Sequence, residues 1–280
     1  MAKDQEMLEL AQDWARKVWE KAVKSWKARS QDYNYRKFLA RPAIESSLEG
    51  LQPVKNGVFL DLGCGEGDET RHIREFLVKQ GSSGTLYGFD QQRELIQIAQ
   101  ERKEDRYFIT TFYDHGRMEE LGEKYCLKGK IHRIFSTFLL QDMPDAESHF
   151  EIVFLCLRKG GRGIFLLVHP DFGKKMLEKG VLKVNTELQS RLWKWAAEYP
   201  IVEENGKTFY VPYFQRNLAD YLKSLRRRFP RVTFSEWRPS AKVIKKCERQ
   251  HLSPFYDHPG NVYYPEILKI PSTVVFLVEK

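Results

Sequence analysis

Glycines stand at alternate positions in Asp61-Leu62-Gly63-Cys64-Gly65-Glu66-Gly67. That spacing lets a backbone turn sharply and lets a ligand approach it without meeting a side chain. A pyrophosphate-binding turn of the G-x-G-x-x-G type needs its third glycine at position 68, which is Asp68. An acid there suits a cofactor that carries no phosphate pair. Asp61, inside the strand that leads into the turn, can hold a ligand's ammonium group. Asp90 closes Tyr87-Gly88-Phe89-Asp90, 23 residues after Gly67, where a carboxylate can accept from both hydroxyls of a ribose or cap a helix. Gln91 follows it at the same strand end and is assigned to the same ligand. Asp114 is placed just after a third strand to meet an adenine amino group, although a turn also favours Asp.

The elements that must position these residues follow from periodicity. Residues 5–28 repeat apolar side chains at three- or four-residue steps (Met7, Ala11, Trp14, Val18, Ala22, Trp26), the pattern of an amphipathic helix, docked on the core or closing over a ligand. Tyr33, Tyr35, Arg36, Phe38 and Arg41 lead to Pro42, suited to the first turn of the next helix. From Val58 strands and helices alternate, the sign of a parallel sheet covered on both faces. Strands are expected at 58–62, 85–89, 107–112, 131–136 and 163–168, with helices at 70–79, 93–102, 118–125 and 149–157. After Pro170 the alternation weakens: 185–199 and 218–228 read as helices, 208–214 as a short strand, and 232–237 and 273–279 as two final strands. Three regions are expected: an N-terminal helical segment at 1–45 that serves as a lid if it closes over a ligand, a doubly wound α/β core at 46–170, and further helices and insertions with the last strands at 171–280.

Composition sets the outer bounds. The 280 residues are 42% hydrophobic, 30% charged and 13% aromatic, as in a folded protein with a core of its own. Its apolar runs are far too short for a membrane span of about 20 residues. The beginning of the chain does not read as a secretory signal, and four scattered cysteines form no CxxC pair, so a reducing cytoplasm is expected. No His and carboxylate cluster has metal spacing, and no metal is expected. The net charge of +8 lies between Arg216 and Arg249, where eleven Lys or Arg face three acids. This is a solvated face or a surface for an anionic partner.

Asp61-x-Gly63-x-Gly65-x-Gly67 with Thr70 opening the helix, Asp90 closing the second strand and Leu157-x-x-Gly160-Gly161 before the fifth resemble the class I S-adenosylmethionine-dependent methyltransferases, from about Val58 to Pro170. His169-Pro170 and the later Tyr213-Phe214-Gln215-Arg216-x-Leu218-x-x-Tyr221 are similar to bacterial small-molecule members, except that Gln215 stands where those usually have His.

The resemblance implies a doubly wound α/β fold, a seven-stranded sheet of order 3-2-1-4-5-7-6, and S-adenosylmethionine as cofactor with S-adenosylhomocysteine as product. Gly63, Gly65 and Gly67 would shape the cofactor turn, and Asp61, Asp90 and Asp114 would hold the amino-acid end, ribose and adenine. Thr137 and Phe138 would line the methionine arm. His169 is the expected general base, or else caps the strand end. Tyr35, Tyr213, Gln215 and Arg216 are expected at the acceptor. The function implied is in-line methyl transfer to O, N or C of a small molecule by a monomer or homodimer. An RNA or protein methyltransferase docking through 216–249 and a non-catalytic S-adenosylmethionine-binding subunit are the alternatives. Ser136-Thr137-Phe138-Leu139 replaces the Asn/Asp-Pro-Pro-Tyr signature of nucleic-acid enzymes and disfavours RNA.

Overall fold

Alternate side chains of the strand Gly57–Leu62 enter two different buried layers, and the rest of the core follows that division. Leu60 and Leu62 meet Ile134, Phe165 and Phe276 on one face of the sheet. Phe59 meets Leu86, Phe135, Leu166 and Val275 on the other, beneath Ile44, Leu48, Ile73 and Leu77. Asp61 shares the parity of Phe59.

The computed structural model describes residues 2–29, 35–102, 109–115, 121, 127–180, 182–184, 196–202, 208–214, 216–250 and 270–280. The strands are β1 (Gly57–Leu62), β2 (Gly84–Asp90), β3 (Ile109–His115), β4 (Ile131–Thr137), β5 (Leu157–Val168), β6 (Lys183–Val184), β7 (Ala196–Val202), β8 (Thr208–Phe214), β9 (Arg231–Trp237) and β10 (Thr273–Glu279). The helices are α1 (Ala2–Arg29), α2 (Arg41–Leu48), α3 (Asp68–Lys79), α4 (Arg93–Glu101), α5 (Ala146–Cys156), α6 (Pro170–Glu178), α7 (Leu218–Arg228) and α8 (Ala241–Gln250). A π-helical turn, Arg36–Ala40, runs into α2, which carries Pro42 in its first turn.

One sheet has the order β3-β2-β1-β4-β5-β10-β9. Its first five strands pair in parallel, and β10 is antiparallel to β5 and β9. With β9 and β10 as the sixth and seventh strands of the fold, this is the expected order. The chain reverses between β1 and β4, and a crevice opens at the carboxyl ends of those strands.

A second sheet, β6-β7-β8, was not foreseen as a unit. Residues 196–199, expected in a helix, lie in β7 and pair with Phe214 to Val211 of β8. Ala-Ala-Glu-Tyr favours helix locally, but Pro200 prevents its continuation and the cross-strand partners decide the state. The rest of that expected helix, most of 118–125, Tyr33 and Gln215 lie outside the described residues. The third strand runs to His115, so Asp114 is within β3 opposite Phe89 and not in the loop after it. The helix α8 was likewise not foreseen.

Helix α1 joins the two sheets. Ala11 and Ala15 pack on Phe214 of β8, Trp14 meets the Phe214 ring edge-on at 6.1 Å, and Val23 packs with Leu95 and Ile98 of α4. The helix thereby roofs the crevice.

Candidate functional site

A cavity of about 770 Å³ occupies that crevice, within the range of enclosed small-ligand sites. Its floor is the glycine turn. Gly63 has φ +73°, and a Cβ there would meet the Leu139 side chain at 3.0 Å; its N–H donates to the Phe89 carbonyl at 2.8 Å. Gly65 (φ +54°) donates its N–H to Asp90 Oδ2 at 2.9 Å. Gly67 (φ +76°) is the N-cap of α3 and lies behind the lining. The glycines therefore act through left-handed backbone that other residues adopt only at a cost.

Asp61, 1% exposed, accepts from the Thr70 hydroxyl at 2.5 Å. Burial raises its carboxyl to about 7, Glu69 and Asp90 push the same way, and the Thr70 hydrogen bond opposes them. Asp90 accepts the Gly65 N–H and, through Oδ1, the Gln92 N–H at 2.8 Å. Burial lifts its carboxyl to about 6 against those two hydrogen bonds. Gln91, Thr137 and Phe138 also line the cavity. Phe138 adopts φ +59° while its N–H donates to Leu166 at 2.7 Å. A non-glycine in that region costs roughly 1–3 kcal/mol, and here it turns the chain out of β4 over the cavity. The Asp114 side chain is outside the described residues.

The first turn of α3 carries its own anions. Asp68 takes Arg41 at 2.7 Å and Arg71 at 3.2 Å, and Glu66, 1% exposed, takes Arg36 at 3.0 Å. Carboxylates at a helix N-terminus occupy the position that a phosphate would seek.

Two expected acceptor-site residues have other work. His169 is the N-cap of α6: its Nδ1 accepts the Asp171 N–H at 3.2 Å, so the ring proton is on Nε2, 2.9 Å from Glu236 Oε1. Both ring nitrogens are committed, the residue is 1% exposed, and it does not line the cavity. The expectation of a general base at His169 is corrected in favour of a helix cap. His169→Ala is expected to cost about 1 kcal/mol of stability and to leave ligand binding in the cavity unchanged; denaturant unfolding alongside calorimetric titration checks both.

Arg216 is corrected in the same way. Its guanidinium donates to the carbonyls of Leu140 at 3.1 Å, Met143 at 2.7 Å and Pro144 at 2.6 Å, and stacks over Tyr221 at 5.8 Å. It clamps the loop after β4 from behind and does not face the cavity. Tyr213, 5% exposed, does line it. Tyr35 lines it with its ring, which meets Phe138 edge-on at 5.3 Å. The Tyr35 hydroxyl is spent on the Ser272 carbonyl at 2.5 Å and the Thr273 hydroxyl at 2.7 Å.

Asp142, Gln92 and Trp19 also line the cavity and were not singled out in the sequence. Asp142 ends a short turn, Leu140–Asp142, beyond the carboxyl end of β4. Position after a central parallel strand was the signal available. Gln92 is 7% exposed, and its Nε2 has no hydrogen-bond partner among the described residues. Among the described residues no group of three or more His, Cys, Asp or Glu is placed to hold a metal, and no helix is long and apolar enough to cross a membrane.

Comparison with known proteins places this geometry. A family model described as a methyltransferase domain matches residues 53–206, more than half of the chain. The ribosomal RNA small subunit methyltransferase H of Alteromonas mediterranea is 28% identical over 112 residues, 39% of this chain and 35% of that protein. The arsenite methyltransferase of Aquipseudomonas alcaligenes is 27% identical over 137 residues, 48% of this chain and 36% of that protein. The chain thus spans about a third of the length of these curated relatives. An S-adenosylmethionine-dependent methyltransferase structure from Mesorhizobium loti superposes with a TM-score of 0.54 at 17% identity, covering 84% of this chain and 96% of that one. With its family model, its sheet order and its glycine turn in agreement, the chain belongs to the methyltransferase-domain family and has the fold of the class I S-adenosylmethionine-dependent methyltransferases.

Proposed function

We propose that this protein transfers a methyl group from S-adenosylmethionine to a small molecule enclosed with it. The observation that carries the reading is a single cavity: the glycine turn and Asp90 open into the same space as Tyr35, Phe138 and Tyr213, under the roof of α1. Enclosure of that kind suits a small acceptor.

The residues fit this cofactor on four counts. The start of α3 is filled by Asp68, Glu69 and their arginines, which leaves no place for a pyrophosphate. Asp90 accepts a backbone N–H on each oxygen and keeps lone pairs for two hydroxyls. Asp61 offers a buried carboxyl suited to an ammonium group, and the Gln92 Nε2, unpartnered among the described residues, offers donors to a ring acceptor.

When bound, the cofactor supplies an electrophilic methyl on a positively charged sulfur. The protein's part is to align the acceptor, exclude water and shelter charge. Holding two reactants in line can supply roughly 7–11 kcal/mol of a barrier. The aromatic rings of Tyr35, Phe138 and Tyr213 favour a nearby cation by about 0.5–2 kcal/mol. The left-handed Phe138 backbone, the Gln141 side chain that accepts the Val168 N–H at 2.9 Å, and the Arg216 clamp hold the loop where it forms the cavity wall.

The ribosomal RNA relatives raise an RNA acceptor as the second reading. Several cations of the basic segment have partners within the chain: Arg228 meets Glu147 and Glu151, Arg231 meets Glu279, and Arg216 is turned inward. That pairing weighs against a surface built for phosphates.

Calorimetric titration with S-adenosylmethionine, S-adenosylhomocysteine and NAD tests the reading. Saturable binding of the first two and not of NAD is the expected result. Binding without turnover on any acceptor would favour a non-catalytic subunit, and a salt-dependent complex with ribosomal RNA would favour the second reading. No binding of either cofactor form by folded protein would sink the proposal.

A further inference from the structure

The cavity is unevenly charged. Carboxylates reach it from the core and from the roof, whereas its two lining arginines are both engaged, Arg16 with Asp13 and Glu20 and Arg36 with Glu66. An acceptor carrying a carboxylate or phosphate would find no uncommitted cation among the described lining residues. The carboxylates differ in what they hold. Asp61 takes the Thr70 hydroxyl, Asp90 takes two backbone N–H groups, and Asp145 takes the N–H and hydroxyl of Ser148. Asp142 has no side-chain hydrogen bond or ion pair with any described residue.

Its placement is nevertheless fixed. The Asp142 N–H donates to Leu139 at 2.9 Å, and the carbonyls on both sides of it are clamped by Arg216. The same cavity presents the rings of Trp19, Phe172 and Tyr213 and the buried Gln92 Nε2, which has no hydrogen-bond partner among the described residues. A carboxylate on a fixed backbone, without a partner among the described residues and facing aromatic walls, is the arrangement that recognises an organic cation.

We propose that the acceptor is a small amine whose ammonium group is held, and then deprotonated, by Asp142. The inference rests on the methyl-transfer reading above. The ammonium proton passes to an Asp142 oxygen and frees the nitrogen lone pair. That pair forms the N–C bond to the methyl carbon as the C–S bond breaks, and the electrons of the broken bond stay on sulfur. The methylated amine departs as a cation, and Asp142 gives its proton to solvent.

Burial, and next the Asp90 charge, hold the Asp142 carboxyl well above the ordinary carboxylate range; an ammonium group seated beside it favours the ionised form and so opposes that shift. Asp90, Tyr213 and Tyr221 are the titratable groups whose charge interacts with it. Burial holds the Tyr213 hydroxyl protonated, so it faces the acceptor as a neutral group.

The test uses full-length protein loaded with S-adenosylhomocysteine and titrated calorimetrically with phenethylamine and 1,4-diaminobutane, their alcohol counterparts 2-phenylethanol and 1,4-butanediol, and 3-phenylpropanoate. At least one amine is expected to bind about tenfold or more tightly than its alcohol. Asp142→Asn, nearly identical in shape, is expected to erase that preference while still binding S-adenosylhomocysteine, which reports that it is folded. Preference for an alcohol or the carboxylate, survival of the amine preference in Asp142→Asn, or failure of both amines to bind would overturn the proposal with the cofactor reading intact. Failure of S-adenosylhomocysteine to bind the unaltered protein would overturn both.

Discussion

Asp90→Ala is expected to weaken S-adenosylmethionine binding by about 100-fold, close to 2.7 kcal/mol, in a calorimetric titration at pH 8. Two losses combine in it. The ribose hydroxyls lose their acceptor, and the glycine turn loses the strut that holds the Gly65 N–H at 2.9 Å and the Gln92 N–H at 2.8 Å. Asp90→Asn keeps one carbonyl oxygen and is expected to fall between the two. The pH dependence has a definite sign. A carboxyl lifted to about 6 by burial is ionised above that pH and protonated below it, so affinity should be flat above pH 7 and fall below pH 6. Stability of the empty protein should run the other way. Asp61 and Asp90 titrate at about 7 and about 6 in the fold against roughly 3.9 in the unfolded chain. The native state therefore binds more protons between about pH 4 and pH 7, and its stability declines as pH rises through that window. Equal affinity in Asp90→Ala, or affinity that rises on acidification, would remove Asp90 from the cofactor site.

Sequence and structure agree where a residue's role depends on its immediate neighbours along the chain. Gly63, Gly65 and Asp90 act through backbone conformation and a strand end, and both are written in short motifs. The sheet order was legible only through the family resemblance, and the continuous apolar pattern of β10 fits the interior place that order gives it. His169 shows where this stops. Its position after β5 was right, but the N–H of Asp171 and the carboxylate of Glu236, 67 residues away, decide what its nitrogens do. Arg216 turns inward for the same kind of reason, because its partners Leu140, Met143 and Pro144 lie more than 70 residues earlier. Asp142 was illegible for the opposite cause. It is defined by the lack of a partner among the described residues, and a motif has no way to record that. In β7, helix-favouring Ala196-Ala197 was overruled by the antiparallel partner β8.

Arg216→Ala is expected to cost about 2–4 kcal/mol of stability and to lower kcat/KM for methyl transfer by about 100-fold or more, although its guanidinium lies outside the cavity. Three carbonyls lose a charged donor at once, those of Leu140, Met143 and Pro144, and hydrogen bonds to charged groups contribute roughly 1.5–3 kcal/mol each before relaxation and solvent recover part of it. The loop so released carries Leu139, Gln141, Asp142 and Met143 on the cavity wall. A displacement of about 1 Å in positioning groups can cost about 100-fold in rate. Arg216→Lys separates charge from geometry. Its single ammonium cannot span three carbonyls as a planar fork does, so stability should recover in part and rate should remain low. Had Arg216 instead bound an anionic acceptor, both variants would raise KM while leaving thermal unfolding and cofactor affinity unchanged. A positioning role requires unfolding temperature and kcat to fall together, with KM for S-adenosylmethionine moving less than either. Thermal unfolding and steady-state kinetics on the two variants distinguish these outcomes, and a normal kcat in Arg216→Ala would show that the loop needs no clamp.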